Sequence, residues 1–123
     1  MSRFRALVVD DDDTIRRLIA TVLERNGFEV DVAVDGQVAM EKIAEEDYSV
    51  IFLDLMMPRL SGFDVIKLLR ATNTEALRHV VVTSAVSSVV LSQLAENSVH
   101  RVFQKPFDIH EIVASALECA NKP

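Results

Sequence analysis

The sequence predicts one α/β domain built on an open parallel sheet with helices on both faces. Short β-branched apolar runs alternate five times with segments whose apolar residues recur at helical spacing. The chain has 123 residues and is 50% hydrophobic, which suits one compact core and excludes a disordered chain. Five strand–helix units are fewer than the eight that close a barrel, so we expect an open sheet.

Each element follows from a local pattern. The predicted strands are the apolar runs at residues 6–9, 30–34, 50–53, 80–82 and 102–103. The predicted helices follow them, over residues 15–23, 39–44, 63–69, 86–94 and 109–117. Asn26-Gly27 is typical of a helix end, and Asp35-Gly36 turns the chain into the second helix.

Charge and cysteine content exclude several classes of function. The net charge is −6, from 13 basic and 19 acidic residues, which predicts no direct nucleic-acid binding and favours a cationic partner. The single cysteine, Cys119, excludes an internal disulfide and indicates a reduced compartment. The first apolar run is too short for a signal peptide, and the uncharged stretch at 80–95 is too polar to span a membrane. We therefore expect a cytoplasmic protein without membrane association.

Polar residues stand where the predicted strands end. They are Asp10 and Asp11 after the first strand, Asp54 after the third, Thr83 and Ser84 after the fourth, and Lys105 after the fifth. Ligands of open α/β sheets bind at the carboxyl ends of the strands. Three carboxylates in one cleft repel each other unless a cation lies among them. Oxygen ligands without His or Cys select Mg²⁺ or Mn²⁺. A divalent ion, a lysine, a hydroxyl and a nucleophilic carboxylate are the parts needed for phosphoryl transfer.

The chain resembles the receiver domain of two-component response regulators, of the chemotaxis-regulator type, over its whole length. The resemblance rests on residues 7–12 with Ile15-Arg16, on residues 52–58 followed by Gly62, and on Lys105-Pro106-Phe107. It implies a flavodoxin-like (βα)5 fold, doubly wound with strand order 2-1-3-4-5. It also implies that residues 1–123 form a single receiver domain.

The resemblance implies a metal site around a phosphoacceptor. Asp54 would accept a phosphoryl group from a phosphohistidine. Asp11 would bind Mg²⁺ directly and Asp10 through water, with Mn²⁺ as a substitute. Met56 would offer its backbone carbonyl to the metal.

The resemblance also implies groups that hold the phosphoryl oxygens. Thr83 would bond one oxygen, and Ser84 is the alternative to Thr83. Lys105 would pair with another oxygen, and the bond between Lys105 and Pro106 would be cis. Strand 5 departs from the family pattern, because Val102 stands where the family often has a mobile Tyr or Phe.

The implied function is a signalling switch that catalyses its own phosphorylation and dephosphorylation and is not a conventional turnover enzyme. The implied donor is a sensor histidine kinase or a histidine phosphotransfer protein. An output domain or partner would contact the helix at 86–94, strand 5 and the last helix, and phosphorylation would favour a homodimer. Apolar residues beyond one buried stripe at 86–94 fit such a contact, although a neutral surface softened by serines fits equally. The chain is either a stand-alone regulator or a piece of a longer protein.

Two other functions use subsets of the same residues. Asp10-x-Asp12-x-Thr14 after an apolar strand is also the signature of a haloacid-dehalogenase-type phosphatase, with Asp10 as nucleophile. That function leaves Asp54 without a role, and we expect Asp12 and Asp13 to cap a helix. The second alternative is a degenerate receiver that acts as an interaction module without phosphorylation.

Overall fold

The computed structural model describes residues 4–85, residue 90 and residues 99–121. Within these residues, five parallel strands form one sheet in the order β2-β1-β3-β4-β5. The strands are β1 (Phe4–Val9), β2 (Phe28–Ala33), β3 (Val50–Asp54), β4 (Val80–Ser84) and β5 (Arg101–Gln104). The predicted fold class and strand order are confirmed.

Five helices lie in the described part of the chain. They are α1 (Asp13–Arg25), α2 (Gly36–Glu45), α3 (Gly62–Thr72), α4 (Thr74–Leu77) and α5 (Ile109–Ala120). The short α4 was not predicted, because four residues are too few to show helical periodicity. The predicted helix at 86–94 lies outside the described residues, apart from position 90, which is helical. The predicted contact face on that helix lies outside them too.

The core has two halves, one on each face of the sheet. Helices α1 and α5 cover one face, which we call the α1/α5 face, where they pack on β1, β3, β4 and β5 side chains such as Val8, Phe52, Val81 and Phe103. Helices α2, α3 and α4 cover the other face, where they pack on residues such as Leu7, Ile51 and Val82. Side chains of a strand alternate between its two faces, so position along a strand decides which half a residue joins.

The second strand is shifted from its predicted position. It begins at Phe28 and ends at Ala33, so the predicted strand residue Val34 lies beyond it. Val32 and Val34 are exposed, whereas Phe28 and Ala33 are buried. The reason is that β2 lies at the edge of the described sheet, where the neighbouring helices cover only part of the strand.

Asp12 caps the helix that begins next to the predicted site. Its Oδ1 accepts hydrogen bonds from the backbone N–H groups of Thr14 and Ile15, as expected for a capping residue. Gly27 follows the end of α1 with φ +91°, which few other residues adopt easily. Within the described ranges, every helix is too short or too polar to cross a bilayer.

Candidate functional site

The sheet aligns the predicted site residues at one end of one face. Asp10, Asp54, Thr83 and Lys105 each stand two positions beyond a residue of the α1/α5 core, after Val8, Phe52, Val81 and Phe103 respectively. The strand pairing continues to the two outer members. The N–H of Asp10 donates to the carbonyl of Ala33 (3.2 Å), and that of Lys105 to the carbonyl of Ser84 (2.7 Å). All four side chains therefore share the α1/α5 face at the carboxyl ends of the strands.

Three carboxylates meet at this end of the sheet. Asp10, Asp11 and Asp54 each place one oxygen within 4.8 Å of the others. Asp10 and Asp54 are buried, at 1% and 3% exposed, whereas Asp11 is exposed. Buried like charges at this separation are stable only if a proton or a cation offsets them. An all-oxygen donor set with one side open to solvent fits Mg²⁺, a hard ion that keeps several of its waters.

Lys105 supplies a fixed positive charge to the same cluster. Its Nζ donates to Oδ2 of Asp10 at 3.0 Å and lies 3.7 Å from Oδ1 of Asp54. The Lys105–Pro106 peptide bond is cis, as the sequence resemblance implies. The lysine therefore contacts both buried carboxylates and stands ready to pair with an anion placed on Asp54.

The protonation of Asp54 reflects these neighbours. Burial raises the pKa of the Asp54 carboxyl from 3.8 to about 6, and the negative charge of Asp10 acts in the same direction. Lys105 and the N–H of Met56 oppose this increase in pKa but do not cancel it. A cation bound at Asp54 would favour the ionised form of its carboxylate.

Asp10 is held in place by hydrogen bonds on both sides. Its Oδ1 accepts from the N–H of Asp12 at 2.8 Å, and its Oδ2 accepts from Lys105. Its backbone carbonyl accepts from Nη1 of Arg16 at 2.9 Å, while Nη2 of Arg16 bonds Asp13. These bonds fix the orientation of the Asp10 carboxylate, and each of its oxygens keeps a lone pair that could accept from a metal-bound water or bind a metal.

Thr83 and Ser84, the two hydroxyl candidates, point to opposite faces. Thr83 is the register partner of Asp54, so it shares the α1/α5 face with the acidic cluster. Ser84 follows Val82 by two positions and faces the other half of the core. Both residues are buried. The pairing register therefore favours Thr83 as the hydroxyl beside Asp54.

Met56 approaches Asp54 through its backbone. Its N–H donates to Oδ1 of Asp54 at 3.4 Å, and its side chain is 60% exposed. The loop that carries Met56 closes where the N–H of Gly62 donates to the carbonyl of Leu55 at 3.0 Å. A Cβ at Gly62 would lie 2.2 Å from the carbonyl oxygen of Asp54, so this closure requires glycine.

Val102 and Phe103 lie on opposite faces of β5. Val102 is half-buried against the α2/α3/α4 half of the core, and Phe103 is buried in the α1/α5 half. Arg101 stacks over the Phe103 ring at 5.8 Å from its centroid. The position that often carries a mobile aromatic ring in the family therefore holds a short, stiff side chain.

One ion pair near the site lies outside the residues that the sequence predicts to be functional. Asp35 is buried at the N-terminus of α2 and pairs with Arg59 of the loop between β3 and α3. The capping half of this arrangement could have been read from Asp35 three residues before Val38. The ion pair could not, because its members are 24 residues apart and share no local pattern.

The comparison with protein families agrees with this site. The model of the response regulator receiver domain matches residues 6–117. The chain therefore belongs to the receiver domains of two-component response regulators, which are signalling modules.

Individual relatives support the same assignment. Response regulator MprA of Mycolicibacterium vanbaalenii is 36% identical over 110 residues, which cover 89% of this chain and 47% of MprA. The chain thus spans about half the length of the curated relatives it matches. Among solved structures, the receiver domain of the Francisella response regulator 1452 is 33% identical, with a TM-score of 0.87 over 94% of this chain and 95% of its own.

A further solved structure bears on the metal. Response regulator TrrA of Thermotoga maritima, solved in complex with Mg(2+)-BeF, is 29% identical to this chain. The TM-score is 0.82, and the match covers 94% of this chain and 98% of TrrA.

Proposed function

We propose that Asp54 accepts a phosphoryl group from a phosphohistidine and that the modified site controls a partner or output domain. The observation that carries this proposal is the placement of Asp54. Its carboxyl is buried at the carboxyl end of β3, between two further carboxylates and the ammonium of Lys105. A buried nucleophile with an adjacent fixed cation and a set of metal ligands suits phosphoryl transfer.

The proposed reaction is a direct transfer of the phosphoryl group to Asp54. A carboxylate oxygen of Asp54 attacks phosphorus, the new O–P bond forms, and the P–N bond to the donor imidazole breaks. The leaving imidazole nitrogen keeps the electron pair and takes up a proton. Lys105 and the Thr83 hydroxyl then bond two of the phosphoryl oxygens. Mg²⁺, held by Asp10, Asp11, Asp54 and the Met56 carbonyl, would supply further positive charge to those oxygens, and Mn²⁺ would substitute for it.

The switch follows from the charge that phosphorylation adds. A phosphoryl group brings about two negative charges to a site whose hydroxyl and lysine lie on neighbouring strands. Drawing Thr83 toward the new oxygens would pull on the carboxyl end of β4 and on the segment that follows it. Because Val102 cannot swing like a ring, we propose that this pull, rather than an aromatic rotamer, carries the signal.

A sensor histidine kinase or a histidine phosphotransfer protein is the proposed donor in the cytoplasm. An apolar depression of about 380 Å³ lies beside the site, lined by Ile15, Leu18, Lys105, Pro106 and Phe107. Leu18 is 51% exposed there and adds to the apolar lining of the depression. We propose that the donor packs on this depression.

The output partner, or a second copy after phosphorylation, would use β5, α5 and the predicted helix at 86–94.

The phosphatase alternative receives no support from the geometry. That mechanism needs Asp12 as a free acid/base beside Asp10. Instead, Oδ1 of Asp12 caps α1 through Thr14 and Ile15, and Asp12 is exposed. The interaction-module alternative is less favoured, because Asp54 lies close to two further carboxylates and to Lys105, as phosphoryl transfer would require.

Mass spectrometry tests the proposed function. Native protein, Asp54→Asn and Asp10→Asn are incubated with acetyl phosphate, with and without Mg²⁺, and their intact masses are compared. We expect one phosphoryl group on the native chain, only with Mg²⁺, and none on Asp54→Asn. An adduct that persists in Asp54→Asn and disappears in Asp10→Asn would overturn the assignment. No adduct, while a control receiver is labelled, would favour an interaction module.

A further inference from the structure

We infer that the Asp35–Arg59 ion pair positions the β3–α3 loop, residues 55–61, for Mg²⁺ binding. This inference rests on the proposed function, because it assumes that the Met56 carbonyl and Asp54 share the metal. It adds two positioning residues that contact neither the metal nor the phosphoryl group.

Asp35 divides its two carboxylate oxygens between separate tasks. Oδ1 accepts a hydrogen bond from the N–H of Val38 at 2.9 Å and so caps α2. Oδ2 accepts from Nη2 of Arg59. The carboxylate is only 1% exposed, so it gains little help from water and depends on these partners. The cap can therefore be kept while the ion pair is removed.

Arg59 lies at the bend of the loop. Its φ is +62°, the left-handed region that few side chains other than Asn and Gly adopt readily. The next residue, Leu60, accepts a hydrogen bond at its carbonyl from the N–H of Gly36 at 3.0 Å. A Cβ at Gly36 would lie 2.2 Å from that carbonyl oxygen, so the contact is close. The loop is thus attached to the start of α2 by a side-chain pair and a backbone bond next to each other.

The attachment acts on the metal site through a short piece of backbone. One end of the loop is fixed by β3 and by the Gly62–Leu55 hydrogen bond. The ion pair fixes the other end, at residues 59–60. Met56 lies between these two points, and its N–H already contacts Oδ1 of Asp54. Residues that hold the metal ligands in position affect metal affinity strongly, even though they do not contact the metal themselves.

Four variants and a control test the inference. Asp35→Asn keeps an oxygen for the α2 cap and removes the charge. Arg59→Asn removes the guanidinium while tolerating the left-handed φ. The third variant combines both changes, and Arg59→Lys restores a cation. Arg70→Ala is the control, because Arg70 is exposed in the last turn of α3, away from the loop.

The readouts separate positioning from general stability. Mg²⁺ is titrated without phosphodonor while the amide signals of residues 54–60 are followed by NMR. Amide exchange of residues 56–60 is measured without Mg²⁺, and thermal unfolding is recorded for each variant. We expect Asp35→Asn and Arg59→Asn to weaken Mg²⁺ binding about tenfold and to speed exchange in the loop. The double variant should lose no more than either single one, because both remove the same pair. Arg59→Lys should recover most of the affinity, and Arg70→Ala should match the native chain.

Failure of the inference can be told apart from failure of the proposed function. If acetyl phosphate phosphorylates Asp54 of the native chain but the variants bind Mg²⁺ as tightly as the native chain does, the inference is overturned and the proposed function stands. The inference is also overturned if the Mg²⁺ affinity of the variants falls only in proportion to a lower unfolding temperature. It is overturned as well if the double variant loses as much Mg²⁺-binding free energy as the two single variants together. If the native chain binds Mg²⁺ but is not labelled, the proposed function fails instead.

Discussion

At the scale of single residues, the site is built from charges that the fold forces together. Asp54 is buried beside Asp10, and among the described residues Lys105 is the cationic side chain that contacts both carboxylates. Lys105 alone does not offset both negative charges, so keeping the two carboxylates ionised without a bound metal ion costs folding free energy. The function and the stability of the metal-free protein are therefore opposed at Asp54.

This opposition predicts the effect of Asp54→Asn. The pKa of Asp54 is raised to about 6 in the folded state, so the folded chain binds more protons than the unfolded chain between about pH 4 and pH 6. Native stability without Mg²⁺ should therefore fall as the pH rises through that window. Asp54→Asn should be more stable than the native chain at pH 7, by about 2 kcal/mol, and the difference should shrink below about pH 4. Urea unfolding across this range measures it.

Glu24→Gln serves as the control, because Glu24 is an exposed carboxyl on α1. Glu24→Gln should change the stability of the protein little, both at pH 7 and below about pH 4. An Asp54→Asn protein that is less stable than the native chain at pH 7 without Mg²⁺ would contradict this account of the site.

A second residue-scale prediction concerns Tyr48, at the opposite end of the sheet from the site. Its hydroxyl donates to Oδ2 of Asp31 at 2.7 Å, and this bond holds the pKa of Asp31 below its usual 3.8. The stabilisation by Asp31 is then complete above that usual value and is lost as the pH falls through the lower folded pKa. Tyr48→Phe should cost about 1 kcal/mol at neutral pH and less at about pH 3. A loss measured by urea unfolding that is equal at both pH values would count against the bond.

At the scale of elements, the junction between β3 and α3 is the most constrained turn near the site. Ser61 caps α3 in a reciprocal arrangement with Asp64, and Gly62 packs directly on the backbone of Asp54. The turn must be tight because Gly62 packs against the backbone of Asp54. The backbone atoms of Asp54 and Leu55 leave no space for a side chain at Gly62.

Gly62→Ala should therefore destabilise the protein. The new Cβ would lie 2.2 Å from a carbonyl oxygen that cannot move without shifting Asp54, so we expect a loss of about 2 kcal/mol or more in thermal unfolding. Gly27→Asn is the comparison, because nothing lies within 4 Å of a Cβ there and Asn tolerates positive φ. Equal losses in the two variants would show that close packing at Gly62 is not the cause.

Features with a local pattern could be predicted from the sequence. The alternation of apolar runs predicts the five strands, and the strand ends predict Asp10, Asp54 and Lys105 as neighbours. The resemblance names Thr83 with Ser84 as the alternative, and the register of β4 against β3 then shows that Thr83 is the one opposite Asp54. The Asp35–Arg59 pair and the short α4 had no periodic signal, and the exposure of Val32 depends on which strand lies at the edge.

At the scale of the whole molecule, Mg²⁺ links the site to global stability. A ligand that binds the folded chain and not the unfolded one stabilises it in proportion to the logarithm of its concentration, by about 2.7 kcal/mol at a hundredfold excess over Kd. The unfolding temperature of the native chain should therefore rise with Mg²⁺. It should rise much less for Asp11→Asn, because that variant lacks one of the proposed metal ligands. An equal rise in both proteins would place the ion elsewhere.

The proposed function places the phosphoryl group on Asp54. Reduction with borohydride after labelling by acetyl phosphate converts a phosphorylated aspartate into homoserine, and peptide mapping then locates it. We predict homoserine at position 54 in the native chain and none when Mg²⁺ is omitted. Homoserine at position 10 or 11, with Asp54 unchanged, would contradict the account.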